Sequence, residues 1–313
     1  MDVVTARQAI VNKEQAAIGY ELLFRDRQTN SFSFGMDPYV ATCKLIDQTH
    51  LNFGLSELSL GKRAFINFSE KCLLQDSPYL MSPKNIVVEV LESVRPTDAI
   101  FKKVKTLFKE GYTIALDDFV FNPKWQRFLP FVQIIKVDIS QMPMDSISPF
   151  MNNLMASQKG RKTPLFFLAE RIETETDFLQ AKEVGFDYFQ GYYFSRPEMY
   201  FYKDVDVSQF VLMALYEALF VPDINMDEIA CFFRSDEALT YKLQTYLNSG
   251  LFDVDTMPLD IKQALDYVGK DKIRRLVSLL VTSQMAKSER QVTYRTGHTR
   301  VRTCKMLATS VAP

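Results

Sequence analysis

The sequence predicts an α/β domain over residues 1–202 followed by an all-helical domain over residues 203–313. Three observations predict this. Short continuous apolar runs alternate with helix-like stretches up to about residue 202; beyond it the strand signal fades; and amphipathic patterns separated by polar junctions then follow one another. Continuous rather than alternating apolar runs suit strands of a parallel sheet covered on both faces. Repeated strand–helix alternation gives either a barrel or an open sheet.

The apolar runs lie at residues 16–23, 64–68, 86–91, 112–116, 132–137, 165–169 and 188–189. Between the third and fourth, Ile100, Val104, Leu107 and Phe108 recur at helical spacing over residues 97–110. Asp98 sits near the start of that pattern and Gly111 just past its end, as charge and stop signals require. In the second domain helices are read at 207–220, 226–233, 236–247, 258–268 and 271–286, with Gly250 and Gly269 as stops. The basic stretch 287–302 reads as a solvated helix edge, and an apolar pattern returns at 301–307. Phe166, Phe167, Phe186, Tyr188 and Phe189 read as packed core rather than a base-stacking platform.

Composition narrows the function. A chain of 313 residues with 47% hydrophobic and 24% charged residues has material for a sizeable core. Its 37 basic and 38 acidic residues leave a net charge of -1, which argues against a nucleic-acid polymer or an anionic membrane as partner. Cys43, Cys72, Cys231 and Cys304 are scattered, so neither a disulfide framework nor a thiolate zinc site is expected. The opening residues lack the apolar run of a signal peptide, and no window approaches 18 consecutive apolar residues; a cytoplasmic protein is expected. With His50 and His298 the sole histidines, histidine-rich metal sites are excluded.

The chemistry lies in what ends each run. Glu21 lies in the first, Asn67 closes the second, Glu89 sits in the third, and Asp117 and Asp118 follow the fourth. Lys136 comes near the end of the fifth, Glu170 after the sixth and Gln190 after the seventh. A single acid at a strand end is ordinarily a solvated turn or a cap. A whole series is a different matter, because in a parallel barrel all these ends face one mouth. Buried charges are costly unless paired or bound to a metal. Glu21, Asn67, Glu89, Asp117, Asp118 and Glu170 form an all-oxygen set that repels itself unless hard cations neutralise it, which implies Mg²⁺ or Mn²⁺. Adjacent aspartates allow one carboxylate to bridge two ions, the arrangement used in phosphodiester cleavage.

These segments resemble the EAL family of cyclic di-GMP phosphodiesterases. Tyr20-Glu21-Leu22-Leu23-Phe24-Arg25 is similar to its signature segment, with Leu22 in place of the alanine. Ile66-Asn67-Phe68-Ser69, Glu89-Val90-Leu91-Glu92-Ser93, Leu116-Asp117-Asp118-Phe119 and Ile135-Lys136-Val137-Asp138 are similar to the next four motifs. Ala169-Glu170-Arg171-Ile172-Glu173-Thr174 and Phe189-Gln190-Gly191-Tyr192 are similar to the last two. The resemblance implies a TIM-like barrel that hydrolyses one phosphodiester bond of cyclic di-GMP, giving linear pGpG, with two Mg²⁺ or Mn²⁺ ions. Glu21, Asn67, Glu89 and Asp117 are then metal ligands, and Asp118 bridges the ions. Lys136 acts on the attacking water, and Glu170 is a further ligand or base. Arg25 binds a substrate phosphate, Glu173 and Gln190 lie about the substrate, and Glu92 anchors the loop after Asp118. Three departures stand out: Val120-Phe121-Asn122-Pro123 replaces the family's Gly-Thr-Gly, Arg171 replaces a glycine, and the segment from Glu21 to Asn67 is shorter. In the family the loop after Asp118 couples the site to dimer formation, which leaves a homodimer open.

The second domain resembles the HDOD family. Asp236-Glu237-Ala238-Leu239, Lys242-Leu243, Leu247-Asn248-Ser249-Gly250, Ala264-Leu265 and Val268-Gly269 follow its order. That fold is a relative of HD phosphohydrolases without their His-Asp metal site, and no His-Asp pair occurs here. The region is expected to engage a protein partner rather than catalyse. It matches roughly half of the usual domain, so an incomplete HDOD domain is expected. The leading expectation is a phosphodiesterase; the alternatives are a non-catalytic cyclic di-GMP receptor relaying through the HDOD region, or a scaffold that ignores the nucleotide.

Overall fold

A computed structural model describes residues 2–25, 36–120, 122–142, 144–157, 160, 163–203, 205–252 and 260–288. The basic stretch from residue 289 onward and the apolar pattern at 301–307 lie outside the described residues.

The first strand, β1 (Asp2–Asn12), has no counterpart among the predicted runs. The seven runs themselves become β2 (Ala17–Phe24), β3 (Arg63–Phe68), β4 (Ile86–Val90), β5 (Thr113–Leu116), β6 (Ile134–Asp138), β7 (Phe166–Glu170) and β8 (Tyr188–Phe189). Strands β2 to β8 are parallel and adjacent in chain order. The sheet closes through β1, which runs antiparallel to β2, with Gln8 opposite Glu21, and to β8, with Val11 opposite Phe189. The result is an eight-stranded barrel of TIM-like form with one reversed strand. A further unpredicted strand, β9 (Glu198–Lys203), pairs with the first half of β1.

Period-two alternation decides which side chains fill the barrel. Ile10, Phe65, Val87, Ala115, Ile134 and Leu168 form one buried apolar layer inside it. Gly19 makes room for this layer, since a Cβ there would stand 2.7 Å from the Phe65 ring. The next inward position on each strand, two residues on, belongs to the mouth.

Around the barrel lie α1 (Pro38–Ile46), a π-helical segment (Asp47–Phe53) continuing it, α2 (Leu55–Leu58), α3 (Glu70–Leu74), α4 (Asp98–Lys109), α5 (Met144–Ser157) and α6 (Glu175–Val184). Local chemistry sets their starts. The Thr97 hydroxyl accepts from the Ile100 N–H at the head of α4, and Thr174 and Asp177 form a reciprocal capping box on α6. The second domain has helices at all five predicted places: α7 (Gln209–Leu219), α8 (Met226–Ser235), α9 (Glu237–Leu247), α10 (Ile261–Val268) and α11 (Lys270–Ser288). Asn225, Asp236 and Asp260 cap α8, α9 and α10 with their side chains. Helix α11 packs on α7 and α1, and α9 packs on the π-helical segment, so one apolar core runs through both domains. Among the described residues no helix is long and apolar enough to cross a membrane.

Candidate active site

Two residues beyond the apolar layer, the strands deliver Asn67 after Phe65, Glu89 after Val87, Asp117 after Ala115, Lys136 after Ile134, and Glu170 after Leu168. Glu21 follows Gly19 and Gln190 follows Tyr188 in the same way. Seven of the eight strand-end residues singled out from sequence, all but Asp118 at the turn directly after Asp117, therefore share one mouth. At its centre is the Lys136 ammonium, with the side chain 1% exposed. Its Nζ stands 2.8 Å from Asp117 Oδ1, 2.9 Å from Glu89 Oε1, 3.0 Å from Glu170 Oε1 and 3.7 Å from Glu21 Oε2. Glu21 is held from both sides: Asn67 Nδ2 donates to Oε1 at 2.9 Å and Gln190 Nε2 donates to Oε2 at 2.6 Å.

One ammonium cannot balance four ionised carboxylates, and the protonation states shift accordingly. Burial pushes Glu89 well above the usual carboxylate range; Lys136 opposes this, and Glu21 and Asp117 add to it. Burial likewise pushes Glu170 up, to about 8, despite Lys136. For Lys136 burial alone favours the neutral amine, but Asp117, Glu170, Glu21 and Glu89 together overcome it and raise the group well above its ordinary value. Asp118, at the turn after β5 with a left-handed φ of 41°, is raised by burial and then by Asp117 and Asp138.

Several buried oxygens here lack a hydrogen bond. They are Asn67 Oδ1, Glu89 Oε2 and Glu170 Oε2, while Glu89 Oε1 and Asp138 Oδ2 are taken up by ion pairs to Lys136 and Arg171 at 2.9 Å each. Buried polar atoms are nearly always partnered, so this concentration marks a place built for a charged guest. Hard oxygens of carboxylates and an amide are the donor set of Mg²⁺ or Mn²⁺, and the residues present fit such ions. Among the described residues no group of three acids has the spacing that holds an ion; the four acids surround the Lys136 ammonium instead.

Beside the acids runs a groove of about 270 Å³ lined by Leu22, Arg25, Thr42, Asn67 and Glu92 among others. Arg25 and Glu92 thus flank the cluster rather than join it, with Glu92 exposed but near enough to raise Asp118. Glu173 stays apart, exposed at the head of α6 with its main-chain N–H donating to Asp177. Two residues not singled out from sequence belong to the mouth. Gln8, from the unpredicted β1, accepts from Gln190 Nε2 at 3.2 Å. Asp138 is buried two residues beyond Lys136, accepts from the Ser140 N–H and hydroxyl, and faces Arg171 Nε at 2.9 Å. That +2 spacing was readable. Arg171 takes a left-handed φ of 60°, which accounts physically for the glycine expected there.

Barrel, reversed strand and ring of acids define a class: an α/β-barrel protein with a polyacid mouth at its strand ends. The comparisons with known proteins give the family. The EAL domain model matches residues 39–197 and the HDOD domain model residues 208–312. Cyclic di-GMP phosphodiesterase CdgJ of Vibrio cholerae is 39% identical over 304 residues, covering 97% of this chain and 69% of that protein. YuxH of Bacillus subtilis is 30% identical over 316 residues, covering 98% and 76%. The calcium/cy-diGMP complex of Klebsiella pneumoniae BlrP1 superposes with a TM-score of 0.50 at 24% identity, over 62% of this chain and 55% of that one. The chain belongs to the EAL family, with HDOD sequence following the barrel.

Proposed function

We propose that this chain hydrolyses cyclic di-GMP to linear pGpG using two divalent ions, Mg²⁺ or Mn²⁺. The observation that carries the reading is the layer of buried acid and amide oxygens around Lys136 at the barrel mouth, several of them without a hydrogen bond. The name of the Vibrio cholerae relative supports the substrate. Glu21, Asn67, Glu89, Asp117, Asp118 and Glu170 would hold the ions. When bound, such ions offset phosphate charge and make water a nucleophile at neutral pH. The overall step adds water across one P–O bond: oxygen to phosphorus, and a proton to the departing ribose 3′-oxygen.

The chain's own groups divide the remaining work. Lys136 is held protonated by its acids, so it serves as a fixed positive charge and proton-bearing donor to the incoming water, not as a base. Asn67 and Gln190 occupy one lone pair on each Glu21 oxygen and so fix that carboxylate. Arg25, on the groove wall, takes the second phosphate. Residues 1–202 carry this chemistry, and residues 203–313 provide contacts to a protein partner.

Incubation of the purified chain with cyclic di-GMP and Mn²⁺ or Mg²⁺ should yield pGpG, and Glu21→Ala or Asp118→Ala should abolish it. A second reading, a receptor that binds without turnover, is favoured by the segment after Phe119, where an exposed Val120 stands in place of the family's glycine. Saturable binding of cyclic di-GMP with no pGpG in either metal would select that reading.

A further inference from the structure

We propose that the helical domain positions the acid cluster of the barrel, with Lys242 and Thr42 as positioning residues that act through Asn67. Helix α1 and the π-helical segment form one rod from Pro38 to Phe53. Near its start, the buried Thr42 hydroxyl lies 2.8 Å from the Asn67 carbonyl oxygen and 3.0 Å from that of Pro38. Its bond to Asn67 ties the rod to the residue whose amide clamps Glu21.

The far part of the rod is gripped by two helices of the other domain. Lys242 Nζ, on α9, donates to Asp47 Oδ1 at 2.6 Å and also to Asn52 Oδ1. Ser283 Oγ, on α11, donates to Asp47 Oδ2 at 2.7 Å, and the Tyr241 hydroxyl donates to the Asn52 carbonyl at 2.8 Å. Lys242, Asp47 and Ser283 are 1%, 2% and 0% exposed.

Adhesion alone does not explain this arrangement. The domains already share an apolar core, and a buried ion pair is weak evidence for added stability. What directional buried bonds add is register. The π-helical form ordinarily survives only as single-turn bulges, yet here it extends over seven residues, Asp47–Phe53, with Asp47, Gln48, Thr49, His50 and Asn52 buried. The grip of α9 and α11 keeps that segment wound as it is. Relaxation toward an α-helix turns its two ends against one another, and Thr42 is then drawn from Asn67.

This inference rests on the reading of Asn67 as an ion ligand, so ion affinity is the measurement, made on the full chain under conditions where each variant is folded. Calorimetric titration with Mn²⁺ should show roughly tenfold weaker binding in Lys242→Met and in Thr42→Val, as expected when a ligand loses its support, with Thr42→Ser near the parent. Amide exchange in Lys242→Met should quicken through residues 38–53 and around Asn67. If the parent binds Mn²⁺ and both variants bind it within about twofold, the positioning role is overturned and the network is only structural. Should Lys242→Met not fold, the contrast between Thr42→Val and Thr42→Ser decides. A parent that binds no Mn²⁺ refutes the proposed function instead, and unchanged exchange around Asn67 then removes this inference as well.

Discussion

Replacing Lys136 by Met tests the charge balance of the site directly. The two side chains are similar in length, so the change removes the ammonium from a fully packed position while leaving most of the volume filled. Four carboxylates then lose the cation that stands 2.8–3.7 Å from each. Removing one partner of a buried ion pair costs about 3–5 kcal/mol. Part of that cost is escaped by protonation, since Glu89 and Glu170 are already pushed up by burial in the parent. The penalty should therefore depend on pH, and its sign can be worked out. A carboxyl whose folded pKa is raised gives stability that is complete below its unfolded value and is lost as pH rises through the folded one, near 8 for Glu170. Without Lys136 these values climb further, and the folded variant retains protons that its unfolded chain releases. Its stability should fall more steeply with pH than the parent's, by about 1.4 kcal/mol per pH unit for each extra proton retained.

Equilibrium unfolding in urea with EDTA at pH 6 and pH 9, on parent and variant, measures this. At pH 9 the variant should lose about 3 kcal/mol or more, and at pH 6 distinctly less. Excess Mn²⁺ should return part of the loss, about 2.7 kcal/mol at a hundredfold excess over Kd. A variant that tracks the parent within about 0.5 kcal/mol at both pH values, a surface-like result, would refute the idea that Lys136 balances the cluster.

Three further outcomes are expected. His50 is buried against the Leu80 carbonyl and burial lowers it from 6.5 to about 4, so it contributes stability that is complete above pH 6.5 and lost as pH falls through 4; relative to His50→Gln, the parent should lose about 3 kcal/mol between pH 7 and pH 4 in unfolding titrations. Gly191→Ala should destabilise the chain by at least about 2 kcal/mol and disturb Gln190, because the new Cβ would lie 2.0 Å from the Ile172 carbonyl oxygen and 2.3 Å from its nitrogen; denaturant midpoints and pGpG formation report the two effects. Arg171→Gly relieves a left-handed backbone costing about 1 kcal/mol and gives up a half-exposed ion pair to Asp138 worth about as much, so thermal unfolding should place its stability within about 1 kcal/mol of the parent.

The barrel's polar mouth was legible for a definite reason. A charged or amide residue inside an apolar strand violates the pattern of its surroundings, and Glu89 within Ile86–Val90 or Lys136 within Ile134–Asp138 must be explained by a partner. Gln8 escaped because β1 carries so many polar residues that it does not read as apolar. Arg7 lies between the rings of Tyr20 and Tyr200 at 4.7 and 4.8 Å from their centroids and pairs with Glu198 of β9. These are long-range contacts that no local window contains. Without β1, the closing strand of the barrel and one amide of its mouth were both missed.

The domain junction was hidden by the opposite circumstance. On a helix, polar residues are ordinary, and an amphipathic reading of α9 assigns Lys242 to solvent by default. The structure buries it to 1% exposure against Asp47 and Asn52. The rod it grips is equally silent: Thr42, Lys44, Asp47, Gln48, Thr49, His50 and Asn52 are all buried, so residues 38–53 show no apolar stripe to announce a helix. Burial of so many polar groups in one segment is tolerable only where another element supplies their partners. For Thr42 and His50 that element is the barrel domain, through the Asn67 and Leu80 carbonyls, and for Asp47 and Asn52 it is the second domain, some two hundred residues away along the chain in the case of Lys242 and Asp47. Sequence periodicity therefore finds polar groups where strands make them anomalous and passes over those that helices make commonplace, which is why the polar layer of the barrel mouth could be read from the chain and the polar junction between the domains could not.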